Sequence, residues 1–244
     1  MRTSNPIFSA KSFRAQGGLA TANSMSVQGT INKAGIMLVL LLLSASWVWG
    51  RTLAMGQVSG LTTLGAFGGF IVAMVTIFKK EWSGVTAPVY AILEGLFIGG
   101  LSAMLEVRYP GVVFQAAMLT FGTAAALFMA YSSGLIQVTQ RLRLMIVSAT
   151  GGIFLVYLTS MVLGFFGVSI PMIHSSGTIG IVFSLIVVGI AAMNLVLDFD
   201  FIEQGAQYQF PKYMGWYGAF GLMVTLIWLY IEMLRLLSKI RSNR

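Results

Sequence analysis

Charge-free apolar runs dominate the pattern of this chain, each about as long as a helix needs to cross a hydrocarbon core of about 30 Å. With about 20 residues required per crossing, the runs divide into seven spans. The first extends from about Ala34 to Gly50 and is closed by Arg51; the second lies within Thr52–Phe78 and is closed by Lys79-Lys80; the third is about Val85–Leu105. The fourth lies within Val112–Tyr131, and Arg141 and Arg143 precede the fifth, about Leu144–Phe166. No formal charge occurs from Leu144 to Leu197, too long for one helix, and Pro171-Met172-Ile173-His174-Ser175-Ser176-Gly177 breaks the run. The sixth span is therefore about Thr178–Leu197. The seventh, about Met214–Leu234, starts after Pro211-Lys212 and ends at Arg235.

Outside these runs little remains to fold. Residues 1–33 read as a polar, Ser/Gly/Asn-rich basic tail carrying Arg2, Lys11, Arg14 and Lys33, the bundle as 34–237, and 238–244 as a short basic C-terminal tail. Ile36–Leu43 followed by Ser44-Ala45-Ser46 faintly resembles a signal peptide. The preceding polar stretch is far too long for one and Trp47-Val48-Trp49 continues the apolar run, so a retained first span is expected. Trp47, Trp49, Trp82 and Trp216 fall near span ends, as interfacial aromatics do.

Composition agrees with a single all-α bundle in lipid: 57% of the 244 residues are hydrophobic and only 9% charged, where soluble domains carry about a quarter. The formal charge of +8 sits at span ends and in the tails, where anionic headgroups explain it better than nucleic acid. An N-terminus on the cytoplasmic side puts nine cations there against six opposite, a small bias that leaves orientation open. With no cysteine, disulfides, thiol nucleophiles and thiolate metal sites are excluded. The pairs Gly56/Gly60, Gly65/Gly69 and Gly95/Gly99 have the small-xxx-small spacing that lets helices approach closely in lipid. No repeat of fixed period supports an inverted-repeat transporter.

Few residues can carry chemistry. Glu94 lies almost midway along the third span, where a carboxylate is costly and faces either a water-filled cavity or a neighbouring helix as structural glue. Asp198, Asp200 and Glu203 close the sixth span; Asp200, Glu203 and Gln204 share one helical face, and Asp198 points elsewhere. Close carboxylates raise a proton affinity or recruit a hard cation such as Ca²⁺. His174, the only histidine, reads as an interfacial loop residue. Neither G-x-S-x-G, H-E-x-x-H nor a glycine-rich phosphate loop is present, and an intramembrane hydrolase using Glu94 with the acidic cluster on a metal lacks ligating histidines, so no enzyme and no cofactor are expected.

The opening MRTSNPIF, the seven spans, IGIVFSLIVVGIAAMNLVLDFDFIEQG and the closing LYIEMLRLL together resemble a bacterial branch of the Bax inhibitor-1 family over essentially the whole chain. The resemblance implies a multi-pass inner-membrane protein with six helices around a central seventh, acting as a pH-sensitive Ca²⁺ leak gated by the acidic end of the sixth span, with Asp200, Asp198, Glu203, Gln204 and Thr225 as the gate and pH-sensing residues. Ca²⁺ then enters as the transported ion. In the family a sixth-span Asp pairs with a seventh-span Asp to sense protons. Asp200, followed by Gln204, is the nearest match to the first and the expected Ca²⁺ ligand, with Asp198 the alternative register; the second falls on Thr225, which cannot ionise. Lys79 and Lys80 match a basic cluster that latches the acidic end. Some relatives instead restrain a membrane-bound AAA protease, with the basic N-tail as the docking piece.

Overall fold

The computed structural model describes residues 24–55, 60–167 and 177–243; His174, Gly56 and the cations of residues 1–23 lie outside them. Seven helices follow one another: α1 (Val27–Met55), α2 (Gly60–Phe78), α3 (Ser83–Arg108), α4 (Val112–Ser132), α5 (Gln140–Phe165), α6 (Thr178–Gln207) and α7 (Met214–Ser242). A 3₁₀ turn, Lys80–Trp82, joins α2 to α3. Each of the seven is long and apolar enough to cross a membrane, so the protein is a multi-pass membrane protein. Among the described residues the only β pairing is an isolated bridge between Ser24 and Pro211.

The helix ends correct the expected boundaries. From Val27 on, the polar residues before Ala34 belong to α1: Ser26 Oγ accepts from Gly29 N–H at 3.1 Å, capping the first turn, and Gln28 bonds Asn32 at 3.0 Å. Met25 is buried with Ile202 and Met214, and its N–H donates to the Phe210 carbonyl at 2.7 Å. The basic C-terminal residues likewise continue α7. Lys239 is buried, donating to the Gly180 carbonyl at 3.0 Å and Ser184 Oγ at 2.9 Å, and Arg241 reaches the Pro110 carbonyl and Gln115 on α4. Composition hid both ends, because capping and side-chain hydrogen bonds make polar residues helical where no apolar stripe marks them.

Helix α3 is sandwiched between α1 and α2, and glycines set the spacing. A Cβ on Gly65 would stand 2.6 Å from the Leu93 carbonyl oxygen, and one on Gly99 would stand 2.8 Å from the Ala45 Cα, so backbones meet there without side chains between them. Gly95 does the same against Leu41 and Ser44. Helix α7 runs through the middle, packed on α1, α3, α4 and α6, with Leu229, Leu234 and Met223 fully buried. Glu106 closes the tight α3–α4 connection by accepting from Gly111 N–H at 2.5 Å and Val113 N–H at 3.2 Å, which satisfies donors that the first turn of α4 leaves open.

Candidate functional site

The acidic end of α6 is helical through Gln207, so its three carboxylates fan out around the axis toward different neighbours. Asp200 turns to α5: Arg143 Nη2 donates to Asp200 Oδ2 at 2.5 Å, and Gln204 Nε2 donates to the same oxygen at 2.8 Å. The carboxylate is largely buried while Arg143 keeps 40% of its side chain exposed. Glu203 turns to α4 at the surface, accepting from the Tyr131 hydroxyl at 2.5 Å and from Gln207 at 3.3 Å.

Asp198 turns the other way, into a cavity of about 570 Å³ between α2, α3, α6 and α7 that Glu94, Tyr90 and Thr225 also line. Among the described residues its Oδ2 is a buried oxygen with no hydrogen-bond partner. The Thr225 hydroxyl is the polar neighbour of this carboxyl and also bonds back to the Gly221 carbonyl at 3.2 Å. Gly221 lies beside the carboxyl, where a Cβ would stand 3.6 Å from Asp198 Oδ1, an ordinary contact. Glu94 enters the cavity along α2, where Gly69 makes room: a Cβ at that position would sit 2.8 Å from Glu94 Oε1. The remaining wall is apolar, with Ala66, Phe70, Met74 and Phe220 prominent.

Three expectations change here. The α6 carboxylate that stands beside Thr225 is Asp198, the alternative register, and Asp200 is held by α5 instead. The reason is angular: two residues along a helix rotate the side chain by more than half a turn, so only one of the two aspartates can face α7. The cation on Asp200 is Arg143, not Lys79 or Lys80. Lys80 lies over the Tyr217 ring at 5.2 Å because the 3₁₀ turn after α2 carries it toward α7, and Lys79 is exposed. Asp200 as a Ca²⁺ ligand would first have to release a guanidinium, and among the described residues no group of three or more His, Asp or Glu is gathered as for a metal.

The structure also brings out residues that the sequence reading passed over. Glu232 on α7 is 1% exposed, accepts from Arg235 Nη1 at 2.8 Å and from the Tyr157 hydroxyl at 3.1 Å, and so ties α5 to α7. Asn194 on α6 donates to Thr150 on α5 at 2.8 Å. Glu232 had a signal: it is a carboxylate inside the last apolar run with an arginine three residues on, the spacing of a helical ion pair.

The fold and the carboxylate-lined cavity are joined by a match over residues 5–242 to the family model described as Bax inhibitor 1 like. The chain belongs to the Bax inhibitor 1 like family. No curated protein and no solved structure matches it. Membership covers nearly every described residue, so both carboxylates of the cavity and both ends of α5 fall inside the Bax inhibitor 1 like region.

Proposed function

We propose that this membrane protein is a pH-sensitive cation leak of the inner membrane, passing Ca²⁺, with the cavity between α2, α3, α6 and α7 as its ion-accepting chamber. The observation that carries the reading is that Glu94 and Asp198, from two different helices, face one cavity in which an Asp198 oxygen has no partner among the described residues. Carboxylates inside membrane spans are expensive and mark ion or proton paths. Ca²⁺ is a hard cation that takes oxygen ligands, and Glu94, Asp198 and the Thr225 hydroxyl offer three oxygen-bearing groups. In this reading Glu94 supplies the second carboxylate that Thr225 lacks, and protons compete with the cation for the pair. Asp200, bound to Arg143, acts at a distance from the ion as part of the scaffold that positions α6.

The test is Ca²⁺ flux into liposomes holding the purified protein, measured over a pH series. Asp198→Asn and Glu94→Gln should each change the flux or its pH response more than Glu81→Gln, an exposed control. Thr225→Asp, which puts a further carboxylate beside Asp198, should add a second titration step, because neighbouring carboxylates release their protons in coupled stages. Flux no greater than in empty liposomes would sink the reading. Co-purification of a membrane-bound AAA protease, lost on removing residues 1–23, would then favour the regulatory alternative.

A further inference from the structure

Helix α5 is attached unlike any other element. It buries less of its length than the other six helices, and its buried apolar residues are Ile146 and Ile153. Arg143, Thr150 and Tyr157 alternate with them at seven-residue intervals, so one row of α5 carries a polar group every two turns over about 21 Å of helix. Each of the three meets a polar partner across the interface: Arg143 with Asp200 at 2.5 Å, Thr150 with Asn194 at 2.8 Å, and Tyr157 with Glu232 at 3.1 Å. The first and second partners descend α6 while the third lies on α7, so the row closes the crevice between those two helices along most of the bilayer.

Two further observations set this row apart from ordinary packing. The glycines of α5 are not used for close approach, since a Cβ on Gly151, Gly152 or Gly164 would meet nothing within 4 Å. In addition, every inner partner has a second bond within its own helix. Asp200 keeps Gln204 at 2.8 Å, Asn194 keeps the Ile190 carbonyl at 2.8 Å, and Glu232 keeps Arg235 at 2.8 Å. Removing α5 therefore leaves each inner partner with a hydrogen bond inside its own helix: Glu232 also keeps a cation, and Asp200, the one that loses its counter-charge, keeps the Gln204 amide. Two groups of the departing helix are prepared as well. Arg143 lies in its first turn, within reach of headgroups, and the Thr150 hydroxyl can bond the carbonyl four residues back.

We propose that α5 is a separately movable helix, docked on α6 and α7 by the three polar pins Arg143–Asp200, Thr150–Asn194 and Tyr157–Glu232, and that its undocking opens the crevice in which Asp200 and Glu232 are held. Ile146 and Ile153, between the pins, keep the docked crevice dry, so the row is a set of discrete fasteners and not a continuous proton wire. The proposal is independent of which ion, if any, the protein passes.

Because the chain has no cysteine, introduced cysteines carry labels without background. Spin labels on Leu155→Cys of α5 and Leu119→Cys of α4, both exposed, report the α5 position by distance measurement in liposomes; a second pair on Met104→Cys and Val224→Cys reports the rest of the bundle. The triple variant Arg143→Gln, Thr150→Val, Tyr157→Phe should raise the long-distance, undocked population by about tenfold, the scale of three weak in-membrane bonds lost together, while the control pair is unchanged. A disulfide between Thr150→Cys and Asn194→Cys, positions whose side chains already touch, should abolish the undocked population in the otherwise native chain. Should the triple variant fail to fold, Tyr157→Phe alone keeps the ring contact with Phe183 and should shift the distribution in the same direction. An α5 distance distribution that is identical in the native chain, the folded pin variants and the disulfide-locked form would overturn the proposal.

Discussion

Helices α3 and α5 are both 26 residues long and both mainly apolar, yet they join the bundle by opposite means. Helix α3 is held by shape: Gly95, Gly99 and Gly100 let α1 and α2 press against its backbone, and Ala87, Ala91 and Ala103 are completely buried. Helix α5 is held by chemistry, three polar contacts on one row, and its glycines face open space. Lipid tails are as apolar as leucine, so burying apolar side chains gives little drive to helix association inside a bilayer. Close packing and hydrogen bonding are what remain. A helix held by close packing is fixed in one position, whereas a helix held by a few polar contacts has an alternative whenever those contacts find other partners.

The comparison is broken most directly on the packed side. Gly99→Val places a branched side chain against the Ala45 backbone and should destabilise the protein by about 1–3 kcal/mol or more, lowering the unfolding midpoint in detergent. Gly152→Val on α5, where the space is open, should stay within about 0.5 kcal/mol in the same assay. Equal losses at the two glycines would erase the distinction.

A middle-sized effect is expected where the pinned helix meets the packed core. Glu232→Ala removes an acceptor shared by Tyr157 and Arg235 and should cost about 1–3 kcal/mol; Arg235, partly exposed and still bonded to the Tyr157 hydroxyl, holds the figure at the lower end. Glu232→Gln, which keeps an acceptor, should cost less. The smallest effect belongs to the middle pin, where Asn194→Leu should change stability by about 0.6 kcal/mol, the mean for hydrogen bonds between membrane helices. A double-mutant cycle with Thr150→Val measures the pair itself, and a coupling indistinguishable from zero would show that α5 docks without it.

Much of the architecture was legible in the chain, because a span announces itself by length and the absence of charge, and both are local properties. Five of the seven expected spans lie within the observed helices, α2 falls inside the wider window expected for the second, and the fifth overruns α5 by a single residue, with the polar extensions of α1, α6 and α7 escaping notice because caps and tertiary hydrogen bonds, not hydropathy, make them helical. Glu94 stood out for a related reason: one carboxylate in an uncharged run is visible without knowledge of its neighbours, and the cavity it lines is where intramembrane charge belongs. Which aspartate faces Thr225 was not legible, since Asp198 and Asp200 differ by a rotation of α6 that only its packing against α5 and α7 fixes. Arg143 was counted as a boundary charge, and nothing local links it to a residue 57 positions away. The seven-residue spacing of Arg143, Thr150 and Tyr157 was present all along, but a polar row gains meaning only when the opposite helices supply its partners.

The clasp at the start of α1 bears on how the bundle is completed. Met25 donates to the Phe210 carbonyl and inserts where Gly205 leaves space, its sulfur 2.8 Å from the point a Cβ at Gly205 would occupy. About three-quarters of the chain separates these residues, so the contact cannot form until α6 and the turn that follows it are in place. Loop closure over such a distance is slow compared with the pairing of sequence neighbours. The first turn of α1 therefore emerges early during synthesis and waits for its partner until the end, with Met25 exposed in the interval. A clasp of this kind distinguishes a finished bundle from one that has stopped short, and a chain truncated before Phe210 would leave its own beginning unfastened.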